Sequence, residues 1–270
     1  MTTFDFAART LDAARYHDDA GLRLEQVTVF DSAWLLVGYE APNSPRGCLA
    51  HGARVESWRG LRFATSSSDV SPLAQWLGPF ANECADFPIE SYEFWRRSEH
   101  LVACNWKIYA DNYLEGYHIP LVHPTLNRAV DAKQYSVQVN DDGPYVVHSA
   151  PARDGAPTAG RWLWRYPNLA LNLYPSGMSV ERYQPVGVDR CMVTLDYFFG
   201  DVSLSASDVN NASVESSERI VLEDLQVCEA VHRNLSAGIY RTGVLSPRYE
   251  LAVATFQRAV SRDVSRVSFD

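Results

Sequence analysis

Two histidines, His118 and His123, lie five residues apart in the stretch Asp111-Asn112-Tyr113-Leu114-Glu115-Gly116-Tyr117-His118-Ile119-Pro120-Leu121-Val122-His123-Pro124. A histidine is by default a surface group or a satisfied core group. A neutral imidazole is also a good ligand for iron or zinc, and two of them around a proline-interrupted turn can share one ion. With one carboxylate added on the same side, such a set leaves positions open for substrate or dioxygen. That carboxylate must come from elsewhere in the chain. In the segment from Ser217 to Val231, residues Ile220, Val221, Leu225, Val227, Cys228 and Val231 form an apolar helical stripe. Asp224 falls near its middle, and Glu223 lies on one flank. An ionised carboxylate aimed into a core is costly unless it is paired or bound to a metal. Asp224 therefore has two readings, a buried acid paired with an arginine or a helix cap, or a metal ligand. The histidine pair strengthens the second.

The elements that must position these residues follow from periodicity. Trp106 to His118 reads as a helix, with Trp106, Tyr109, Ala110, Tyr113 and Tyr117 on one packed face. Asp111, Glu115 and His118 lie opposite, and Pro120 stops the helix. Six short strands follow: Tyr135 to Val139, Tyr145 to Ser149, Arg161 to Tyr166, Leu169 to Tyr174, Met178 to Gln184 and Cys191 to Phe199. Tight turn signals between several of them imply an antiparallel sheet. Trp162, Trp164, Asn172, Tyr174 and Met178 lie where they could line a pocket, although strand alternation must turn some of them away. Ser213 to Leu235 is a long helix with Ser213 as its N-cap, and Ser246-Pro247 opens another that runs to about Val264. Upstream, a short helix is expected over Phe6 to Tyr16, β-structure over Val27 to Tyr39 and Val55 to Thr65, a short capped helix over Asp69 to Phe80, and a linker over Asn82 to Glu90. The class is α+β, divided into residues 1–91 and 92–270.

Composition narrows the function. A hydrophobic fraction of 46% and a charged fraction of 21% are those of an ordinary globular protein. A net charge of -9 argues against a nucleic-acid-binding face. No run is long and apolar enough for a membrane helix. The five cysteines are scattered, with no CxxC, and the first residues carry no secretory signal. Reduced thiols and a cytoplasmic location are expected.

The stretch from Asn105-Trp106-Lys107 through Pro124 resembles the mononuclear-iron motif of the Rieske non-haem iron oxygenase α-subunits, in the branch of choline, betaine and carnitine oxygenases. The likeness continues through Tyr166-Pro167-Asn168-Leu169, Tyr183-Gln184-Pro185 and Leu222-Glu223-Asp224 to Glu229, covering roughly residues 92–265. The resemblance implies a helix-grip (START-like) catalytic domain, in which a curved antiparallel sheet wraps a long helix. It implies Fe(II) held by His118, His123 and Asp224. It implies that Glu115 bridges His118 to a Rieske cluster on a neighbouring subunit. Asp111 and Asn112 are expected to support the ligands from behind.

The chain departs from the family upstream. A Rieske [2Fe–2S] cluster needs a CxH pair and a CxxH pair. Here only Cys48-Leu49-Ala50-His51 fits the second, and no CxH occurs. Ser32 to Gly38 and Glu56 to Phe63 still resemble the flanks of a Rieske domain. Residues 1–91 are thus expected to be a small, mostly β, pruned Rieske-like region without a cluster, with Cys48 and His51 as remnants. The expected function is an O₂-dependent oxygenase subunit that hydroxylates or dealkylates a small organic molecule. Its electrons would come from a separate Rieske protein or a full-length α-subunit served by an upstream reductase, in a trimer-based or mixed oligomer. Two alternatives stand beside it: a non-catalytic structural subunit of such an oligomer, and a metal-dependent enzyme without redox chemistry.

Overall fold

The structure is a computed structural model that describes residues 8–45, 52–131, 134–141, 143–152 and 160–266. Cys48 and His51 lie outside the described residues.

The N-terminal segment forms a 3-10 turn at Ala13–Tyr16, the helix α1 (Asp19–Glu25) and a π-helical turn at Gln26–Phe30. Of the helix expected over Phe6 to Tyr16, residues 8–16 form only the 3-10 turn at Ala13–Tyr16, which Asp12 caps with its side chain, and Phe6 and Ala7 lie outside the described residues; Asp18 caps α1 separately. The β-pattern expected from Val27 is helical up to Phe30. Burial of Thr28, Val29 and Phe30 in the helical core overrides their strand preference. A three-stranded antiparallel sheet follows, β1 (Leu35–Tyr39), β2 (Arg54–Trp58) and β3 (Leu61–Thr65), in the order β1-β3-β2. Arg59 and Gly60, with φ of 49° and 79°, make the tight turn between β2 and β3. The helices α2 (Leu73–Leu77) and α3 (Phe80–Glu83) close this unit. The expected linker is pinned instead: Arg59 donates to the carbonyls of Cys84 and Phe87 at 2.6 Å and pairs with Glu90.

The rest is a seven-stranded antiparallel sheet with helices on its inner face. In chain order the elements are β4 (Glu93–Val102), α4 (Trp106–Tyr113), α5 (Ile119–Val122), α6 (Pro124–Ala129), β5 (Ser136–Asn140), β6 (Tyr145–Ser149), β7 (Arg161–Arg165), β8 (Leu169–Tyr174), β9 (Gly177–Gly187), β10 (Arg190–Phe199), α7 (Ser207–Ser236) and α8 (Leu251–Val264). The sheet order is β4-β10-β9-β8-β7-β6-β5. Its central strands are buried on both faces, and alternation sorts their side chains between two cores. Leu169, Leu171 and Leu173 of β8 pack outward with Trp34, Leu36 and Phe63 of the small sheet. On the inner face Val146, Trp164, Ala170 and Tyr183 meet Trp106, Ile108 and Tyr109 of α4 and Phe256 of α8. Tyr16, Val29 and Phe30 join the same inner core, so the N-terminal segment packs with the helices rather than with the small sheet.

Two helix starts differ from expectation. The long helix begins at Ser207, not Ser213, because the 3-10 turn at Leu204–Ala206 feeds directly into it. The last helix begins at Leu251: Ser246 and Glu250 first close a turn in which Ser246 N–H donates to Glu250 Oε2 at 2.6 Å. Among the described residues no helix is long and apolar enough to cross a membrane.

Candidate metal centre

The helix α4 starts at Asn105, whose side chain accepts from Lys107 N–H at 3.1 Å. It stops at Tyr113, five residues short of the expected end. Glu115 explains the stop. Its Oε2 accepts from the backbone N–H of Tyr117 at 2.9 Å and of His118 at 3.3 Å, which binds those donors in a turn rather than a helix. Gly116 lies within this turn against Tyr135, and a Cβ there would collide with the tyrosine ring. Tyr117 is consequently half exposed, off the packed face expected for it, and its hydroxyl donates to Glu250 Oε1 at 3.1 Å. His118 then caps the one-turn helix α5, and His123 sits at the junction of α5 with α6. Pro120 and Pro124 occupy first turns, where a missing N–H costs nothing; Pro120 opens a helix rather than ending one.

This folding brings the two imidazoles together under α7. His118 Nε2 lies 3.2 Å from His123 Nε2, and Asp224 Oδ1 lies 3.0 Å from His123 Nε2 and 3.6 Å from His118 Nε2. Ligands bound at about 2.1 Å and about 90° to one another would be about 3 Å apart, so the three atoms have the spacing of one face of a coordination sphere. The far side of each ring is also occupied. Glu115 Oε1 is 2.5 Å from His118 Nδ1, and Glu223 Oε2 is 2.8 Å from His123 Nδ1. A carboxylate at Nδ1 calls for a proton there, which leaves the Nε2 lone pair facing inward. Three lone pairs then converge, and a cation is the group that satisfies them. Burial lowers the pKa of His123, but Asp224 and Glu223 more than reverse this, so the net shift is upward. The donor set thus fits a divalent transition metal.

Asn112 Nδ2 donates to Asp224 Oδ1 at 2.7 Å and holds the carboxylate toward the histidines. Asp111 does not reach the centre. Its carboxylate accepts from Tyr16 Oη at 2.8 Å and Gln257 Nε2 at 3.0 Å, tying α4 to the N-terminal segment and α8. Burial pushes its carboxyl up to about 7, against the hydrogen bonds of Gln257 and Tyr16.

A cavity of about 650 Å³ opens beside the three donors, lined also by Tyr113, His148 and Glu181. Trp162, Asn172, Tyr174 and Met178 line it, whereas Trp164 turns into the core against Phe256. Sequence reasoning placed Glu223 outside the stripe and did not single out Glu181 or His148. For Glu181 there was a signal: alternation along Met178 to Gln184 puts it on the face of Tyr183, a charge among residues that must be covered.

A match to the family described as ring hydroxylating alpha subunit (catalytic domain) covers residues 83–159 and 151–266. The chain belongs to this family. Its catalytic domains use mononuclear iron, and its members are oxidoreductases that use O₂. Choline monooxygenase of Arabidopsis thaliana is 31% identical over 65% of this chain and 44% of that protein. The carnitine monooxygenase oxygenase subunit of Escherichia coli is 28% identical over 51% of this chain and 39% of that protein. The chain thus spans less than half the length of these relatives. Among solved structures, the quaternary ammonium Rieske monooxygenase CntA superposes with a TM-score of 0.82 at 18% identity, covering 96% of each chain. Naphthalene 1,2-dioxygenase from Rhodococcus sp. gives 0.69 at 12% identity, over 96% of this chain and 95% of that one. These likenesses establish the fold.

Proposed function

We propose that this chain is a non-haem Fe(II) oxygenase subunit that acts on a small organic molecule with electrons from a separate Rieske protein or a cluster-bearing partner subunit. The observation that carries the reading is the convergence of His118 Nε2, His123 Nε2 and Asp224 Oδ1 beside the cavity, with Glu115 and Glu223 behind the imidazoles. His118, His123 and Asp224 would hold the iron, which when bound supplies the redox chemistry that activates dioxygen. Glu115 and Glu223 keep both Nδ1 atoms protonated and fix the planes of the rings. Asn112 holds Asp224, and the lining of the cavity orients the substrate and excludes water.

Glu115 is proposed as the entry point for electrons, because it contacts His118 on the side away from His123 and remains partly exposed. The surface nearby carries Leu121, 84% exposed, and Tyr117, 49% exposed, which suits a docking protein. Residues 1–91 are proposed to be a remnant Rieske domain. Its cluster would be absent from this chain, since Cys48 and His51 supply only one ligand pair.

The test is anaerobic loading with Fe(II), followed by metal analysis and by turnover with and without a reduced Rieske donor. Stoichiometric iron, lost in His118→Ala, and turnover that depends on the donor are expected. Equal turnover with dithionite alone would rule out the borrowed-electron route. A mixed oligomer that keeps full activity with His118→Ala would instead make the chain a structural subunit.

A further inference from the structure

The cavity beside the metal donors is not centred on them. On α7 it is lined at Val209, Ala212, Ser213, Ser216, Ile220 and Asp224, one continuous stripe down a single face of the helix. From Val209 to Asp224 the helix rises about 22 Å. The sheet runs beside it over the same length. Near the start of β4, Trp95 Nε1 donates to Asn211 Oδ1 at 3.2 Å, and just past its end Ala103 N–H donates to Glu229 Oε1 at 3.3 Å. Position along α7 therefore corresponds to position along the strands. Tyr197 of β10, whose hydroxyl donates to Glu218 Oε1 at 2.6 Å, marks a level near the middle of the cavity.

The two ends differ in chemistry. Glu115, His118, His123 and Asp224 lie at one of them. Glu181 pairs with Leu195, which is displaced from Tyr197 toward the same end, and His148 lies four strands from β10, within reach of the charge of His118. Among the described residues that line the other end there is no carboxylate, imidazole, lysine or arginine. There Phe199 and Tyr174 flank Gly177 in one row across the sheet, so two rings stand apart with no side chain between them. Opposite them Ala212, Ser213 and Ser216 are small and exposed, which leaves space between helix and sheet. Val209 is 69% exposed, and Leu204, just before α7, is 96% exposed. Apolar surface of this kind gains by being covered with hydrocarbon.

We propose that the end of the cavity remote from the metal donors binds an unbranched hydrocarbon tail, so that the substrate is a single-chain amphiphile with its polar end beside Asp224 and its tail along α7 toward Val209. Length decides for a chain. A compact molecule fills only the space beside the donors and leaves the stretch from Ile220 to Val209 empty. From Ile220 to Ala212 alone the distance is about 12 Å, room for about ten bonds of extended chain. The whole volume of about 650 Å³ is that of a site for a drug-sized molecule. The proposal rests on reading this cavity as the substrate site of the oxygenase, and it names the class of molecule admitted.

The test needs neither iron nor turnover. The metal-free full chain is titrated by calorimetry with straight-chain primary alcohols from butanol to decanol. Affinity is expected to rise about two- to fourfold for each added methylene through the whole series. Ser216→Phe and Ala212→Phe place a ring in the proposed tail path at two depths. Both positions are exposed, so the larger side chain displaces no packed neighbour, and melting temperatures close to the parent's are expected. Each variant should bind the shortest alcohols as the parent does and stop gaining affinity beyond a limiting length. Four residues separate the two sites, about 6 Å along α7, so the limit in Ser216→Phe should fall about five carbons below that in Ala212→Phe. If either phenylalanine variant is poorly folded, leucine at the same position serves instead, with the same order of limits. The proposal is overturned if the parent gains nothing beyond hexanol, if the variants follow the parent through decanol, or if both stop at the same length. Iron loading succeeds or fails independently of these titrations: a rising series in a chain that takes up no iron would keep the tail site and remove the oxygenase reading.

Discussion

Glu223 Oε2 lies 2.8 Å from His123 Nδ1, one helical position before Asp224, whose Oδ1 lies 3.0 Å from the other nitrogen of the same ring. Adjacent residues of α7 thus grip one imidazole from both sides. The arrangement assigns unlike work to two carboxylates that a helical wheel separates by only about 100°. Asp224 faces the point where the donors converge, and Glu223 orients the ring.

The first prediction follows from that division. Glu223→Gln should keep the fold and weaken metal binding by about 10- to 100-fold, the usual effect of removing a carboxylate behind a ligating histidine. Asp224→Asn should weaken it further, because a donor itself is changed. Competition titration against a chelator of known affinity measures both. An unchanged affinity in Glu223→Gln would mean that the ring is held by packing alone.

Glu115 should behave differently. It also backs a histidine, but the ring it backs, His118, is 15% exposed, whereas the His123 ring backed by Glu223 is 1% exposed. Glu115→Gln is expected to retain most of the iron while slowing donor-driven turnover about 10- to 100-fold. Rapid mixing of the iron-loaded variant with a reduced Rieske protein separates the two effects. Turnover that falls only in step with iron content would assign Glu115 a purely structural task.

The parts of this architecture that sequence reveals are those governed by local periodicity. Trp106, Tyr109 and Ala110 mark α4, and the alternation in β6 to β10 marks every strand to within a few residues. His118, His123 and Asp224 could be named because a charge in an apolar stripe and two imidazoles around a proline are both locally unusual. What escaped was set by contacts distant in sequence. The end of α4 depends on the Glu115 side chain capturing two backbone donors, and on Tyr135 filling the space above Gly116. No periodicity encodes either. Glu223 gained its role only when α5 delivered His123 to its side of α7. The segment Gln26–Phe30 reads as β from its residue types, yet it lies in the helical core because burial outweighs a propensity of under about 1 kcal/mol.

Asp111 gives a pH dependence whose sign can be worked out. Burial raises its carboxyl from 3.8 to about 7, so the folded chain holds this proton more tightly than the unfolded chain. The associated stability is present in full below pH 4 and is lost as pH rises through 7. Asp111→Asn keeps acceptor and donor atoms for Tyr16 and Gln257 and removes the titration. Relative to Asp111→Asn, the parent should therefore lose about 3 kcal/mol between pH 5 and pH 8, at about 1.4 kcal/mol for each pH unit below 7. Urea unfolding of both proteins at the two pH values measures it, and parallel profiles would refute it.

The last prediction concerns how the N-terminal segment is held. Glu25 Oε2 accepts from Lys107 Nζ and from Trp106 Nε1, each at 2.8 Å, and the Glu25 and Lys107 side chains are wholly buried. This one oxygen ties α1 to the start of α4, the helix that leads into the histidine turn. Burial lowers the Lys107 pKa while Glu25 raises it, so removing the acid leaves a buried ammonium without its hydrogen-bonded partner, with only Asp111 and the faces of Tyr16 and Trp106 to offset its desolvation. Glu25→Ala should cost about 3–5 kcal/mol of folding stability. Replacing both partners with apolar residues of similar size, Glu25→Leu with Lys107→Met, should cost less than Glu25→Ala alone, because no charge then stays buried. Chemical denaturation of the parent, the single variant and the double variant decides it. A double variant less stable than the single one would show that the pair contributes more than the desolvation it carries.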